Sequence, residues 1–193
     1  DLKNEETESI VVDIETVTNG EEVGTQTVTV NVLNDDPPPT VTLSVLSSSV
    51  AEEVETGTTT ATTQVIAILS AVSSLDVTVD LVMSGSAAIN VDYTLGNTIF
   101  IPADNISQSI TLTAQPDLLN EINETVVIDI FGVTNGTEVA LQQQTVSIID
   151  NDLNPKVTLS VGGVSINEDT GATSTTVTAT SDAVSGQERT VHL

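Results

Sequence analysis

Seven carboxylates, Glu52, Asp92, Asp117, Glu121, Glu124, Asp150 and Asp152, stand at turns of one stretch of chain rather than along strand faces. Brought within a few ångströms, such groups repel one another and raise each other's pKa, so a cluster of them is unstable unless a hard cation occupies it. Calcium suits the set. It accepts about six to eight oxygens in irregular geometry, whereas magnesium demands a tight octahedron and transition metals usually recruit His. The single histidine, His192, lies outside the group and reads as a surface residue. A second outcome is open at this level: a solvated acidic rim that keeps an aliphatic protein soluble and blocks edge pairing.

Catalysis finds few reagents. The chain has no Cys, one His and three cations, Lys3, Lys156 and Arg189, so it lacks the nucleophile with a base that most reaction classes require. A glycosidase pair would need a sugar cleft, and the aromatic platforms for one reduce to Tyr93, Phe100 and Phe131. The expectation is a protein that is not an enzyme. A formal net charge of -25 repels phosphate backbones and anionic lipids, so neither nucleic acid nor a membrane surface is an expected partner. No apolar run approaches the ~18 residues of a spanning helix.

The apolar residues, 38% of the chain, are almost all Val, Ile, Leu and Ala among many Thr, which is the composition of pleated, half-buried strands. An all-β fold follows. Val17-Thr18-Asn19-Gly20 returns as Val133-Thr134-Asn135-Gly136, and Val41-Thr42-Leu43-Ser44-Val45 as Val157-Thr158-Leu159-Ser160-Val161, both at an offset of 116 (133 − 17 and 157 − 41). Near the end the offset falls to 112, where Ala71-Val72-Ser73 returns as Ala183-Val184-Ser185. The chain thus divides into the C-terminal part of a first repeat (1–36), a complete repeat (40–152) and the N-terminal part of a third (156–193).

Alternation within the complete repeat predicts seven strands near 41–46, 60–69, 75–83, 97–101, 106–114, 124–131 and 139–149. Val126, Ile128 and Ile130 face one way and Val127, Asp129 and Phe131 the other, while Asn135-Gly136 suits a tight hairpin into the seventh strand. The connectors Pro37-Pro38-Pro39 and Leu153-Asn154-Pro155 are too short and too restricted to be flexible tethers, so the domains should sit stiffly end to end.

Ser49-Val50-Ala51-Glu52, Val91-Asp92-Tyr93, Asp117 followed by Glu121 and Glu124-Thr125, and the closing Asp150-Asn151-Asp152 resemble the Calx-beta motif in order and spacing. The resemblance implies tandem seven-stranded antiparallel sandwiches of immunoglobulin-like form with a calcium cluster at one domain end. Carried over by position, the ligands are Glu52, Asp92, Asp117, Glu121, Glu124, Asp150 and Asp152, with Asp1, Glu5, Glu8, Asp35 and Asp36 in the copy before and Glu168 in the copy after. It departs from the usual paired acids at Pro116-Asp117.

The expected role is a calcium-stiffened stalk or fibre of a bacterial cell-surface or secreted protein. Its partners would be neighbouring repeats of the same chain and other copies in a fibre. Two other readings are compatible with the residues. The repeats could themselves recognise cell-surface glycans or another copy of the protein, for which Phe131 on an outer face is the one candidate; or the chain could be a calcium-sensing regulatory domain.

Overall fold

In the computed structural model, which describes residues 3–52, 61–169 and 174–193, the chain is all-β. Residues 40–152 form a sandwich of two five-stranded sheets. After a hairpin of β1 (Glu8–Asp13) and β2 (Thr27–Val32) come β3 (Thr40–Val45), β4 (Ser49–Ala51), β5 (Thr62–Leu69), β6 (Val77–Gly85) and β7 (Tyr93–Thr94). There follow β8 (Thr98–Ile101), β9 (Ser107–Ala114), β10 (Glu124–Thr134), β11 (Thr137–Glu138) and β12 (Gln143–Ile149), and a second hairpin of β13 (Val157–Val161) and β14 (Val177–Ser181). One sheet has the order β4-β12-β10-β6-β8, the other β11-β3-β5-β9-β7.

Period-two alternation builds the core. Val41 and Leu43, Val65, Ala67 and Leu69, Val77, Val79 and Leu81, and Val126, Ile128 and Ile130 all point inward and are buried, with Ile99, Leu112, Val146 and Ile148 from the remaining strands. Side chains at i and i+2 share a face, so each strand contributes every second residue to a layer between the sheets. Tyr93 is buried among them and serves packing, while Phe131, on the opposite face of β10, is 80% exposed.

The seven longer strands fall near where alternation predicts them, although residue 60 lies outside the described residues and the last strand begins at Gln143 rather than at 139, after a loop in which Ala140 is left-handed. Three short strands are added, and two of them pair in parallel: β4 with β12 and β11 with β3. Both arise where the chain changes sheets. After β3, Leu46 still donates its N–H to the Gln64 carbonyl (2.9 Å), then Ser47 exchanges two hydrogen bonds with the buried Thr63 hydroxyl and the chain crosses to β12.

The Asn135-Gly136 turn does the same in reverse, which corrects the expected tight hairpin. Asn135 takes the left-handed conformation (φ 58°), but the residues after it leave the β10 sheet and pair with β3. β10 and β12 are antiparallel neighbours, joined through this excursion rather than a two-residue turn.

The flanking hairpins reproduce the pairings of the central unit. Glu8↔Val32 stands for Glu124↔Ile148, and Val157↔Ser181 for Val41↔Leu69. Among the described residues no helix is long and apolar enough to cross a membrane.

Candidate metal centre

The end of the sandwich at which the chain leaves for the next repeat collects the seven expected carboxylates of the complete unit. Glu52 follows β4 directly, and its N–H donates to the Ile149 carbonyl (3.1 Å), so the parallel β4–β12 pairing carries it to the end of β12. Asp150 and Asp152 lie just beyond that point. Asp92 precedes β7, in a turn where its Oδ2 accepts the Ala88 N–H (2.6 Å). Asp117 and Glu121 belong to the segment between β9 and β10, with Asp117 Oδ1 accepting the Leu119 N–H (2.7 Å), and Glu124 opens β10.

Two triads result, Glu52 with Asp150 and Asp152, and Asp92 with Glu121 and Glu124; in each, one carboxylate oxygen per residue lies within 4.8 Å of the others. Two oxygens bound to one calcium at about 2.3–2.6 Å cannot be much further apart than about 5 Å, so each triad has the spacing of a shared ion. The triads are electrically continuous, since Glu121 feels Asp117, Asp92, Asp150 and Asp152.

The cost of this arrangement falls on the buried Glu52 and the half-buried Glu124 and Glu121. Burial, and then the charges of Asp117, Asp150, Glu121 and Asp152, push the Glu52 carboxyl up to about 7. Burial, together with the hydrogen bond to Asp92 and its charge, pushes Glu124 up to about 7 as well. Burial also raises Glu121.

Glu52 is 4% exposed, and its Oε2 atom and that of Glu124 are buried with no hydrogen-bond donor. A buried carboxylate oxygen with no donor is expensive. A solvated acidic rim would leave such oxygens in water, whereas a hard cation would satisfy them. The donor set, carboxylate oxygen throughout with no nitrogen or sulfur, fits calcium.

The other expected ligands are not gathered this way. Glu5, Glu8, Asp35 and Asp36 line a cavity of about 150 Å³ together with Lys3, but among the described residues no three acids there reach the mutual spacing of the two triads. Lys3 pairs with Glu5 (3.7 Å) and with Asp104 (2.6 Å), placing a fixed cation where the complete unit has Leu119. Asp1 lies outside the described residues. Glu168, the positional counterpart of Glu52, is exposed between β13 and β14 and joins no acidic group among the described residues.

Two asparagines that the charge pattern passes over belong to the site. Asn123 Oδ1 accepts the Asp150 N–H (3.1 Å). Asn120, 7% exposed, donates Nδ2 to Asp150 Oδ2 (3.3 Å) and to the Asp152 carbonyl (3.1 Å). The sequence signal for Asn120 is its repeat partner Asn4 at the same offset of 116 (120 − 4).

No protein-family model matches the chain, and no curated protein matches it. Among solved structures it is similar to a crystal structure of CBD12 from CALX1.2, with 20% identity and a TM-score of 0.44 over 54% of this chain and 41% of that one. It is similar to the apo-form Calx CBD1 domain at 15% identity and a TM-score of 0.44, covering 58% of this chain and 99% of that domain. A two-domain protein of unknown function from Bacteroides fragilis NCTC 9343 aligns at 9% identity and a TM-score of 0.42, over 64% and 55% of the two chains. The chain thus spans about two-fifths of the length of CBD12. The all-β sandwich itself rests on the strand pairings of residues 40–152.

Proposed function

We propose that this chain is a run of Calx-beta-like sandwiches that bind calcium at their exit ends and act as a stiff structural array outside the cell, as the stalk or fibre of a bacterial surface protein. The observation that carries the calcium reading is Glu52: a carboxylate withdrawn from water, with one oxygen lacking any donor, set against two more carboxylates. The structural role is supported by the repeated unit and its short proline connectors. The reading is non-enzymatic; the carboxylates serve the cation rather than proton transfer.

Thermal unfolding of the full chain with calcium in excess and with chelator tests it. A ligand that binds only the native state stabilises by RT ln(1 + [L]/Kd), about 4 kcal/mol when it is present at ~1,000 times Kd, and the midpoint should rise by several degrees. Equal midpoints in the two conditions would exclude a calcium-stabilised array.

A further inference from the structure

The two places where one repeat meets the next share a set of bonds, to which the first adds the Ser74 hydroxyl donating to the Asn4 carbonyl (3.1 Å) and the second the Asn120 bond to Asp150. At the first, Asn4 donates Nδ2 to the Asp36 carbonyl (3.1 Å), and its own carbonyl accepts the Ser74 N–H (3.0 Å) and the Ser73 hydroxyl (3.3 Å). At the second, Asn120 donates Nδ2 to the Asp152 carbonyl (3.1 Å), and its carbonyl accepts the Gly186 N–H (3.0 Å) and the Ser185 hydroxyl (3.0 Å). Each serine oxygen in turn accepts the N–H two residues on, from Leu75 (3.0 Å) and from Gln187 (3.1 Å). The backbones meet in a parallel bridge at both places, Asn4↔Ser73 and Asn120↔Ser185.

We infer that this asparagine is a docking residue: its side chain ties down the exit end of its own sandwich so that its backbone carbonyl receives the serine turn at the entry end of the next copy of the unit. The surface is polar and largely withdrawn from water, with Asn4 and Asn120 each 7% exposed, Ser73 1% and Ser185 half-buried. Polar groups buried that deeply are stable only when each is matched, so a turn lacking the hydroxyl and the following N–H would leave the asparagine carbonyl short of donors. That makes the joint selective for another copy of this unit. The turn that docks, Ala71-Val72-Ser73-Ser74 or Ala183-Val184-Ser185-Gly186, is uncharged, which lets it approach an acidic end without repulsion. At the second joint it also packs against one member of the candidate metal centre: Gly186 sits so close to Glu121 that an added Cβ would lie 2.6 Å from Oε1, and Gln187 donates Nε2 to the Glu121 carbonyl (2.8 Å).

The joint is made of hydrogen bonds and needs no cation, so its test is run in chelator. Amide hydrogen exchange of the full chain, read residue by residue by NMR, should show the Ser74 and Gly186 N–H groups protected. Asn120→Ala should speed exchange at Gly186 by about tenfold, in line with loss of a side-chain hydrogen bond, and leave Ser74 as it was; Asn4→Ala should do the reverse. The amide of Val146 in the core reports whether the sandwich stays folded, and if Asn120→Ala unfolds it, the Asn4→Ala variant decides alone. Unchanged exchange at the matching site, or protection in the native chain that appears only when calcium is added, would overturn the inference. The second of those outcomes would leave the calcium reading standing, while protection in chelator without any calcium effect would keep the docking residue and discard the cation.

Discussion

Glu52 and Asp150 are held side by side at the end of the parallel β4–β12 pairing, where the Glu52 N–H donates to the Ile149 carbonyl (3.1 Å). Glu52 belongs to the first strands of the unit and Asp150 to its last. Their carboxylates, with that of Asp152, come within 4.8 Å only because β4 lies parallel to β12.

Glu52→Gln should move stability and affinity in opposite directions. Without metal, removing a charge that is buried among four acids should stabilise the fold by about 1 kcal/mol, since breaking up like charges in a poorly solvated site relieves both repulsion and desolvation. With calcium, loss of a charged ligand should weaken binding by at least about tenfold. Urea midpoints in chelator and calorimetric titration check the two halves, and a variant that changes neither would remove Glu52 from the site.

Acid should stabilise the metal-free protein. Glu52 and Glu124 titrate near 7 in the folded chain against an ordinary value of 4.5, so between those values the native state holds more protons than the unfolded one. Stability then falls as pH rises from 4.5 to 7 and levels off above. One pH unit of displacement is worth about 1.4 kcal/mol, and with solvent screening the two groups together should account for about 2–3 kcal/mol. Chelated samples melted across this range should show the decline, and saturating calcium should flatten it; a midpoint that climbs with pH in chelator would contradict the assignment.

Gly85→Ala should be severe. Gly85 has φ 117°, and a Cβ there would lie 2.1 Å from the Thr125 carbonyl oxygen, at the start of β10 beside Glu124. Backbone strain and the clash together should cost about 3 kcal/mol and loosen the second triad. Denaturant unfolding measures the first effect; a variant as stable as the parent would mean that β6 and β10 can part without penalty.

Ala140→Gly should instead help. Ala140 adopts φ 53° where its repeat counterpart is Gly24 with φ 67°. Relief of left-handed strain at a non-glycine residue should outweigh the added freedom of the unfolded chain and raise stability by about 0.5–1 kcal/mol. A drop in the unfolding midpoint would show that the Ala140 methyl contributes more by packing than it costs in strain.

Much of this was legible in the residues, for a definite reason. Period-two runs such as Val126-Ile128-Ile130 mark strands and their inner faces, and loops that alternate between the ends of a sandwich bring Glu52, Asp92, Asp117, Glu121, Glu124, Asp150 and Asp152 to one end. Strands of two or three residues carry no period, so β4, β7 and β11 left no trace, and with them went the sheet crossing that turns Asn135-Gly136 away from a hairpin. Asn4 and Asn120 were hidden differently. Their role lies in a carbonyl that meets a turn 65 to 70 residues further on, and side-chain type gives no sign of that.

The parallel pairings set how the unit answers a pull on its two ends. β4 lies near the start and β12 at the finish, bonded over Ser147↔Ser49, Ile148↔Val50 and Ile149↔Ala51, and β3 meets β11 the same way at Thr40 and Val41. Tension drags parallel neighbours past one another lengthwise, so their bonds share the load and must fail together rather than unzip one at a time.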